Sequence, residues 1–122
     1  MSLLLLRLAP GEDLVEGLEA AARDHGIRHG VVRSGPGSLM RATLQAGGPP
    51  IEAPGPAAEI LTMVGEIHEG EASLHGTVGD PSGRVYAGRF IRGGNPVCIT
   101  VELVIEDVRN EVRSFGPNWL PE

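Results

Sequence analysis

The amino-acid sequence predicts an α+β fold, in which one main helix packs on a mostly antiparallel sheet of about seven strands. Three observations lead to this prediction. The 122 residues include 18 glycines and 10 prolines but only two Phe, one Tyr and one Trp, a composition that favours strands with tight turns over a helical bundle. Seven short apolar runs are separated by turn residues. Only one segment has apolar residues at helical spacing.

The first strand and the helix come at the start of the chain. Residues 2–8 form an apolar run that Pro10 and Gly11 end. The helix is predicted over about residues 13–25, because its acidic first turn suits the positive end of a helix dipole. Leu14, Leu18 and the following alanines recur at helical spacing, and Gly26 supplies the C-terminal stop.

Six further strands are predicted after the helix, over residues 27–32, 39–44, 60–67, 73–78, 84–91 and 97–108. Residues 47–56 contain four prolines and three glycines, so they are predicted to form a flexible loop. The sequence Asp80-Pro81-Ser82-Gly83 predicts a hairpin turn, because proline presets the second position and glycine permits a positive φ.

Charge and cysteine content exclude several classes of protein. The formal charge of −6 disfavours non-specific binding to nucleic acid. The single cysteine, Cys98, excludes an intramolecular disulfide and a multi-cysteine zinc site. The apolar run near the N-terminus is too short for a signal peptide or a membrane span, so we expect a cytoplasmic protein without a membrane partner. The length predicts one domain over residues 1–122.

The order of several short motifs resembles the PPC family, the plant and prokaryote conserved domain. The resemblance runs from about residue 4 to residue 106. It rests on Gly35-x-Gly37-Ser38, Ala42-Thr43-Leu44, the run from Glu59 to Gly65, Leu74-His75, Gly88 and the run from Val101 to Val104. It implies an antiparallel sheet with flanking helices, assembly as a homotrimer, and a fold similar to that of the zinc enzyme alpha-acetolactate decarboxylase.

The resemblance also bears on a metal site. Many prokaryotic members carry a His-x-His pair and, about a dozen residues later, a Gly-Gly-His; such spacing can supply three imidazoles to zinc. Here the corresponding positions hold His75, Thr77 and Arg89. The nearest further candidate ligand is His68. It shares a sheet face with His75 if the intervening hairpin loop has two residues, and lies on the opposite face if the loop has three.

Arg89 leads to a different hypothesis. A guanidinium can hold a carboxylate or phosphate in a bidentate fork, so His75, Thr77, Gly88 and Arg89 are predicted to line a pocket for a small anion. The alternative is that Arg89 pairs with a carboxylate such as Glu66 or Glu102 and holds the trimer together.

These observations leave three possible functions open. The first is a homotrimeric binding or regulatory module with no catalytic residue and no cofactor. The second is a metal-dependent enzyme or ligand binder that uses His75 and His68, with zinc as its ion. The third is DNA binding, which the family's usual description suggests and which the negative charge opposes.

Overall fold

The computed structural model describes residues 2–108, which form one helix and nine strands. The elements are β1 (Ser2–Leu8), α1 (Leu14–Asp24), β2 (His29–Ser34), β3 (Gly37–Leu39), β4 (Ala42–Gln45), β5 (Ile51–Ala53), β6 (Ala58–His68), β7 (Glu71–Gly79), β8 (Val85–Phe90) and β9 (Val97–Asp107). The part of the predicted domain that follows residue 108 lies outside the described residues.

The nine strands form one antiparallel sheet in the order β1-β9-β2-β6-β7-β8-β4-β5. Strand β3 continues the line of β2, because it also lies between β9 and β6. The hairpin β6–β7 closes through a two-residue loop, Glu69 and Gly70, whose φ angles are 51° and 86°. Two positive φ values are typical of the tight turn that matches the twist of a hairpin.

The sequence predicts the position of helix α1 and its stop at Gly26, but not that Asp13, expected within the acidic first turn, caps the helix. The Asp13 side chain accepts hydrogen bonds from the backbone N–H groups of Val15 and Glu16, at 3.1 and 2.9 Å. At the other end, Gly26 has a φ of 72° and its N–H donates to the carbonyl of Arg23. A glycine of this conformation satisfies carbonyls that the helix leaves unpaired, so the helix stops there.

The helix covers one face of the sheet, which forms the core. It packs against β1, β7 and β9. Because side chains alternate along a strand, every second residue of the central strands points into this core. The buried apolar side chains on strands include Leu6, Leu8, Val32, Met63, Ile67, Leu74, Val78, Phe90, Val101, Leu103 and Ile105.

The opposite face of the sheet, called the outer face here, carries exposed aliphatic side chains. Leu3 and Leu5 of β1 are 59% and 62% exposed, and Val64 of β6 is 60% exposed. Ion pairs lie among them: Arg7 pairs with Glu102 at 2.6 Å, and Arg33 pairs with Glu106 at 2.6 Å.

A buried asparagine joins the helix to the far half of the sheet. Asn95 is completely buried. Its side chain accepts a hydrogen bond from the Thr43 N–H at 2.9 Å and donates to the carbonyls of Thr43 and Ile91, at 3.2 and 2.8 Å. Its backbone N–H donates to the Asp13 carboxylate at 2.9 Å, and its carbonyl accepts from the Leu14 N–H at 2.9 Å.

A partly exposed ion pair joins the helix to the β8–β9 connection, and its carboxylate also binds β7. Arg92 forms two hydrogen bonds to Glu19, one of them at 2.7 Å, and Glu19 also accepts from the Ala72 N–H at 2.8 Å. Burial raises the pKa of Glu19, but the hydrogen bonds from Arg92 and Ala72 outweigh that effect and hold the pKa below its ordinary value.

The predicted hairpin turn after β7 is confirmed. The Asp80 carboxylate accepts hydrogen bonds from the Ser82 hydroxyl at 2.7 Å, the Arg84 N–H at 3.0 Å and the Tyr86 hydroxyl at 2.8 Å. The Ser82 hydroxyl, followed by Tyr86 and the backbone donors, overcomes the opposing effect of burial and lowers the pKa of Asp80 from 3.8 to about 2.

Two expectations about the strands need correction. The sheet has nine strands instead of about seven, because β3 and β4 divide the predicted strand 39–44. The predicted flexible loop 47–56 contains β5, which pairs with β4 and buries Ala53 completely. Strand β5 is the last strand of the sheet, and an edge strand tolerates flanking prolines because one of its sides needs no hydrogen-bond donors.

We expect Asn95→Ala to lower the free energy of unfolding by about 2 kcal/mol, because it leaves the Thr43 N–H without its partner and removes the hydrogen bonds to the carbonyls of Thr43 and Ile91. Urea denaturation measures this change. Ser38→Ala, a half-buried position with no side-chain hydrogen bond among residues 2–108, is the control and should change stability by less than about 0.5 kcal/mol. Equal midpoints for the two variants would contradict the role of Asn95.

We expect Asp80→Asn to change how stability depends on pH. A carboxyl group whose pKa is lowered by folding stabilises the protein above its unfolded pKa, and this contribution is lost as pH falls through the folded pKa. The stability difference between wild type and Asp80→Asn should therefore be full at neutral pH and disappear between pH 3.8 and about 2. Thermal denaturation across that range tests it, with the exposed Glu59→Gln as control. A difference that does not change with pH would contradict the assignment.

Candidate functional site

The residues that the sequence singled out lie on the outer face of β7 and β8. His75 of β7 is paired with Val64 of β6 on one side and with Arg89 of β8 on the other. Thr77 follows two residues after His75 and therefore points to the same face. The structure thus brings His75, Thr77 and Arg89 together on one surface.

Arg89 is an exposed cation next to an exposed imidazole. Its guanidinium donates a hydrogen bond to the Gln45 amide oxygen at 3.3 Å, and Gln45 is also its partner in the β4–β8 register. Within residues 2–108, no carboxylate forms an ion pair with Arg89. Glu102, one of the predicted partners, is paired with Arg7 of the same chain. Pairing of Arg89 with a carboxylate of another subunit stays a prediction.

Thr77 and Gly88 support this surface in different ways. The Thr77 hydroxyl is hydrogen bonded to the Thr62 hydroxyl at 2.8 Å, which fixes its position beside His75. Gly88 has a φ of 153°, and a Cβ atom at this position would lie 2.8 Å from the Gln45 carbonyl oxygen. Glycine therefore allows the backbone of β4 to approach β8 and brings Gln45 to Arg89.

His68 and His75 share the outer face, because the loop between β6 and β7 has two residues. They do not lie side by side, however. His75 is paired with Val64, which lies four residues before His68 on β6. At roughly 3.3 Å per residue, the two positions are about 13 Å apart along the strand. A zinc ion with bonds of about 2 Å cannot contact both imidazoles.

The residues at the family's zinc positions do not fit a zinc ion in this chain. His75 offers one imidazole, the Thr77 hydroxyl is engaged by Thr62, and the Arg89 guanidinium has no lone pair to donate. Its positive charge would also repel a dication. Within the part of the chain that the structure describes, no group of three or more His, Cys, Asp and Glu side chains is placed to hold a metal ion.

The sequence alone did not indicate two residues that lie beside the predicted site residues. Gln45 lies beside Arg89 because β4 pairs with β8, a non-local pairing that no local motif signals. His29 of β2 lies opposite His68 of β6, with ring centroids 5.1 Å apart. The register between β2 and β6 brings the two rings together, and nothing in the sequence around either histidine indicates that register.

A cavity of about 440 Å³ lies between the β2–β3 segment and β6. It is lined by residues 33–36 and 60–63, and it does not include His75, Thr77 or Arg89. Gly35 and Pro36 connect β2 to β3 here, and the Pro36 carbonyl accepts a hydrogen bond from the Glu102 N–H at 3.0 Å. No helix among residues 2–108 is long and apolar enough to cross a membrane.

Solved structures of several prokaryotic proteins have this fold. A hypothetical protein from Salmonella enterica is 28% identical, with a TM-score of 0.77 over 87% of this chain and 77% of that chain. A metal-containing protein from Archaeoglobus fulgidus is 22% identical, with a TM-score of 0.74 over 88% and 79%. A candidate DNA-binding protein from Ralstonia eutropha is 24% identical, with a TM-score of 0.72 over 86% and 77%. At these last two identities the similarity shows the fold alone.

Sequence relatives include a much longer protein. The Bifunctional protein GlmU of Synechococcus sp. (strain JA-2-3B'a(2-13)) is 37% identical over 106 residues, which are 84% of this chain and 16% of that protein. This chain therefore spans about a sixth of the length of that relative. The sequence model of the Plants and Prokaryotes Conserved (PCC) domain matches residues 1–109, and the chain belongs to this domain family, also called PPC.

Proposed function

We propose that this chain is a cytoplasmic, homotrimeric, non-catalytic binding and regulatory module that holds a small anion at Arg89. The observation that carries the proposal is the surroundings of the Arg89 guanidinium. It is exposed and lies beside His75, and among residues 2–108 the one side chain to which it donates a hydrogen bond is the neutral amide of Gln45. A guanidinium without a carboxylate partner has donors free for a bidentate carboxylate or phosphate.

The other residues of the surface suit the same kind of ligand. The His75 imidazole can donate a second hydrogen bond from the neighbouring strand, and the Thr77 hydroxyl keeps capacity beyond its bond to Thr62. His75 and Arg89 are both exposed on an open sheet face, so a second subunit would supply the opposite wall of an anion pocket. The proposed pocket would then lie at a boundary between subunits.

The outer face supports self-association. Leu3, Leu5 and Val64 leave apolar side chains in water, and a neighbouring copy would bury them. Closed assembly of identical chains is the usual way in which such a face is covered. The number of subunits, three, is what the resemblance to the PPC family implies.

The long Synechococcus relative is compatible with the proposal that this domain acts as a binding module. There the region similar to this chain forms 16% of a protein described as bifunctional. A domain of this family can therefore occur as one part of a larger polypeptide, as a binding module does.

DNA binding is the second candidate, because a protein of the same fold from Ralstonia eutropha is described as a candidate DNA-binding protein. Electrostatics opposes it. Three copies of a chain with a formal charge of −6 would carry −18, which repels a polyanion. Duplex binding at sub-micromolar protein that weakens with added salt would support this function over the anion module. Zinc retained at one ion per chain would support the metal-dependent alternative.

We expect Arg89→Gln to weaken the binding of inorganic phosphate by about tenfold or more, since a charge-assisted hydrogen-bond pair is lost. Differential scanning fluorimetry and calorimetric titration with phosphate measure this change. The matched control is Arg84→Gln, which removes an exposed arginine from the β7–β8 turn. If phosphate binding were unchanged in Arg89→Gln while its oligomer dissociated, Arg89 would be an interface residue and the anion proposal would fail.

We expect native mass spectrometry to report three copies of the chain. Leu5→Glu should shift the population towards monomer, because it places a charge on the apolar outer face that association would desolvate. Ile51→Glu is the control and should keep the wild-type mass, because Ile51 is exposed but lies opposite the buried Leu44 and hence on the other face of the sheet. A wild-type protein that is a monomer at micromolar concentration would overturn the trimer.

A further inference from the structure

Two histidines from different parts of the chain meet at one end of the outer face. His29 is the first residue of β2 and His68 is the last residue of β6, and the two are directly opposite in the antiparallel register. Their ring centroids are 5.1 Å apart with an interplanar angle of 64°. Side chains of directly opposed residues lie on the same face, so small rotations of both rings can turn their nitrogens towards one point.

One ring nitrogen of the pair is both buried and without a hydrogen-bond partner among residues 2–108. The Nδ1 atom of His29 is buried, and it has no hydrogen bond within residues 2–108. A buried polar atom of this kind normally has a hydrogen-bond partner, and each exception needs an explanation. A nitrogen lone pair is also what a transition metal ion takes from an imidazole.

Two carboxylates lie near the pair on the same face of the sheet, and one arginine, Arg28, precedes His29 in the chain. Glu71 of β7 lies directly opposite His68, on the side away from His29. Glu66 lies two residues before His68 and points to the same face. The nearest outer-face arginine of β2 is Arg33, and its guanidinium is paired with Glu106 at 2.6 Å.

We propose that His29 and His68 form a two-imidazole site for a divalent transition metal ion, with water as the remaining ligands. The site differs from the one expected from the sequence, which combined His68 with His75. Two nitrogen ligands predict moderate affinity in the order Cu²⁺ above Ni²⁺ and Zn²⁺, with little affinity for Mn²⁺ or Mg²⁺. The site is independent of Arg89 and therefore of the proposed anion function.

The test is calorimetric titration of the full chain with CuCl₂, NiCl₂ and ZnCl₂ in a buffer that does not chelate metals. Wild type should bind one Cu²⁺ per chain at this site. His68→Ala should weaken that binding by about tenfold or more, because it removes one of two nitrogen ligands. His68 is exposed, so this variant should fold. His29→Ala should have the same effect, and circular dichroism checks its fold.

Two control variants separate this site from the other histidines. His25→Ala should keep wild-type affinity, because its ring is hydrogen bonded to the Ala21 carbonyl at the end of the helix. His75→Ala should also keep it. Loss of binding in His75→Ala, unchanged binding in His68→Ala, or Mg²⁺ binding as tight as Cu²⁺ binding would each overturn the proposal.

Discussion

The contact between Asp13 and Asn95 is the constraint on which the rest of the fold depends. One carboxylate begins the helix with one oxygen and holds the backbone of Asn95 with the other. Asn95 in turn satisfies backbone groups of Thr43 and Ile91 inside the core, where water cannot do so. Because a buried polar group without a partner is costly, the helix, the β8–β9 connection and β4 can only adopt this arrangement together.

Fixing β4 has a consequence on the other side of the sheet. Strand β4 pairs with β8, and the absence of a side chain at Gly88 lets the two backbones come close. Gln45 therefore reaches Arg89, which β8 places opposite His75 of β7. Thus a hydrogen-bond network at Asn95 helps to determine which polar side chains are neighbours on the exposed face.

Local sequence signals predicted the local parts of this structure. The stop of α1 at Gly26 and the turn at Asp80 are short-range arrangements, in which the bonded groups lie within four residues of each other. Alternation alone predicted that His75 and Thr77 share a face. The position of His29 opposite His68 was not predictable, because it depends on the register between strands that are almost forty residues apart. Strand β5 was missed since its prolines outweighed the apolar residues between them, and only its pairing with β4 stabilises it.

The arrangement also explains how one sheet can carry different chemistry at a fixed geometry. Positions 75, 77 and 89 are neighbours because of strand register and alternation, and neither depends on which side chains are present. Three imidazoles at such positions suit a Lewis-acid metal, whereas an imidazole, a hydroxyl and a guanidinium offer hydrogen-bond donors and a positive charge. The backbone thus sets where a site lies, and the side chains decide whether it attracts a cation or an anion. In this chain, the positive charge at Arg89 favours the anion.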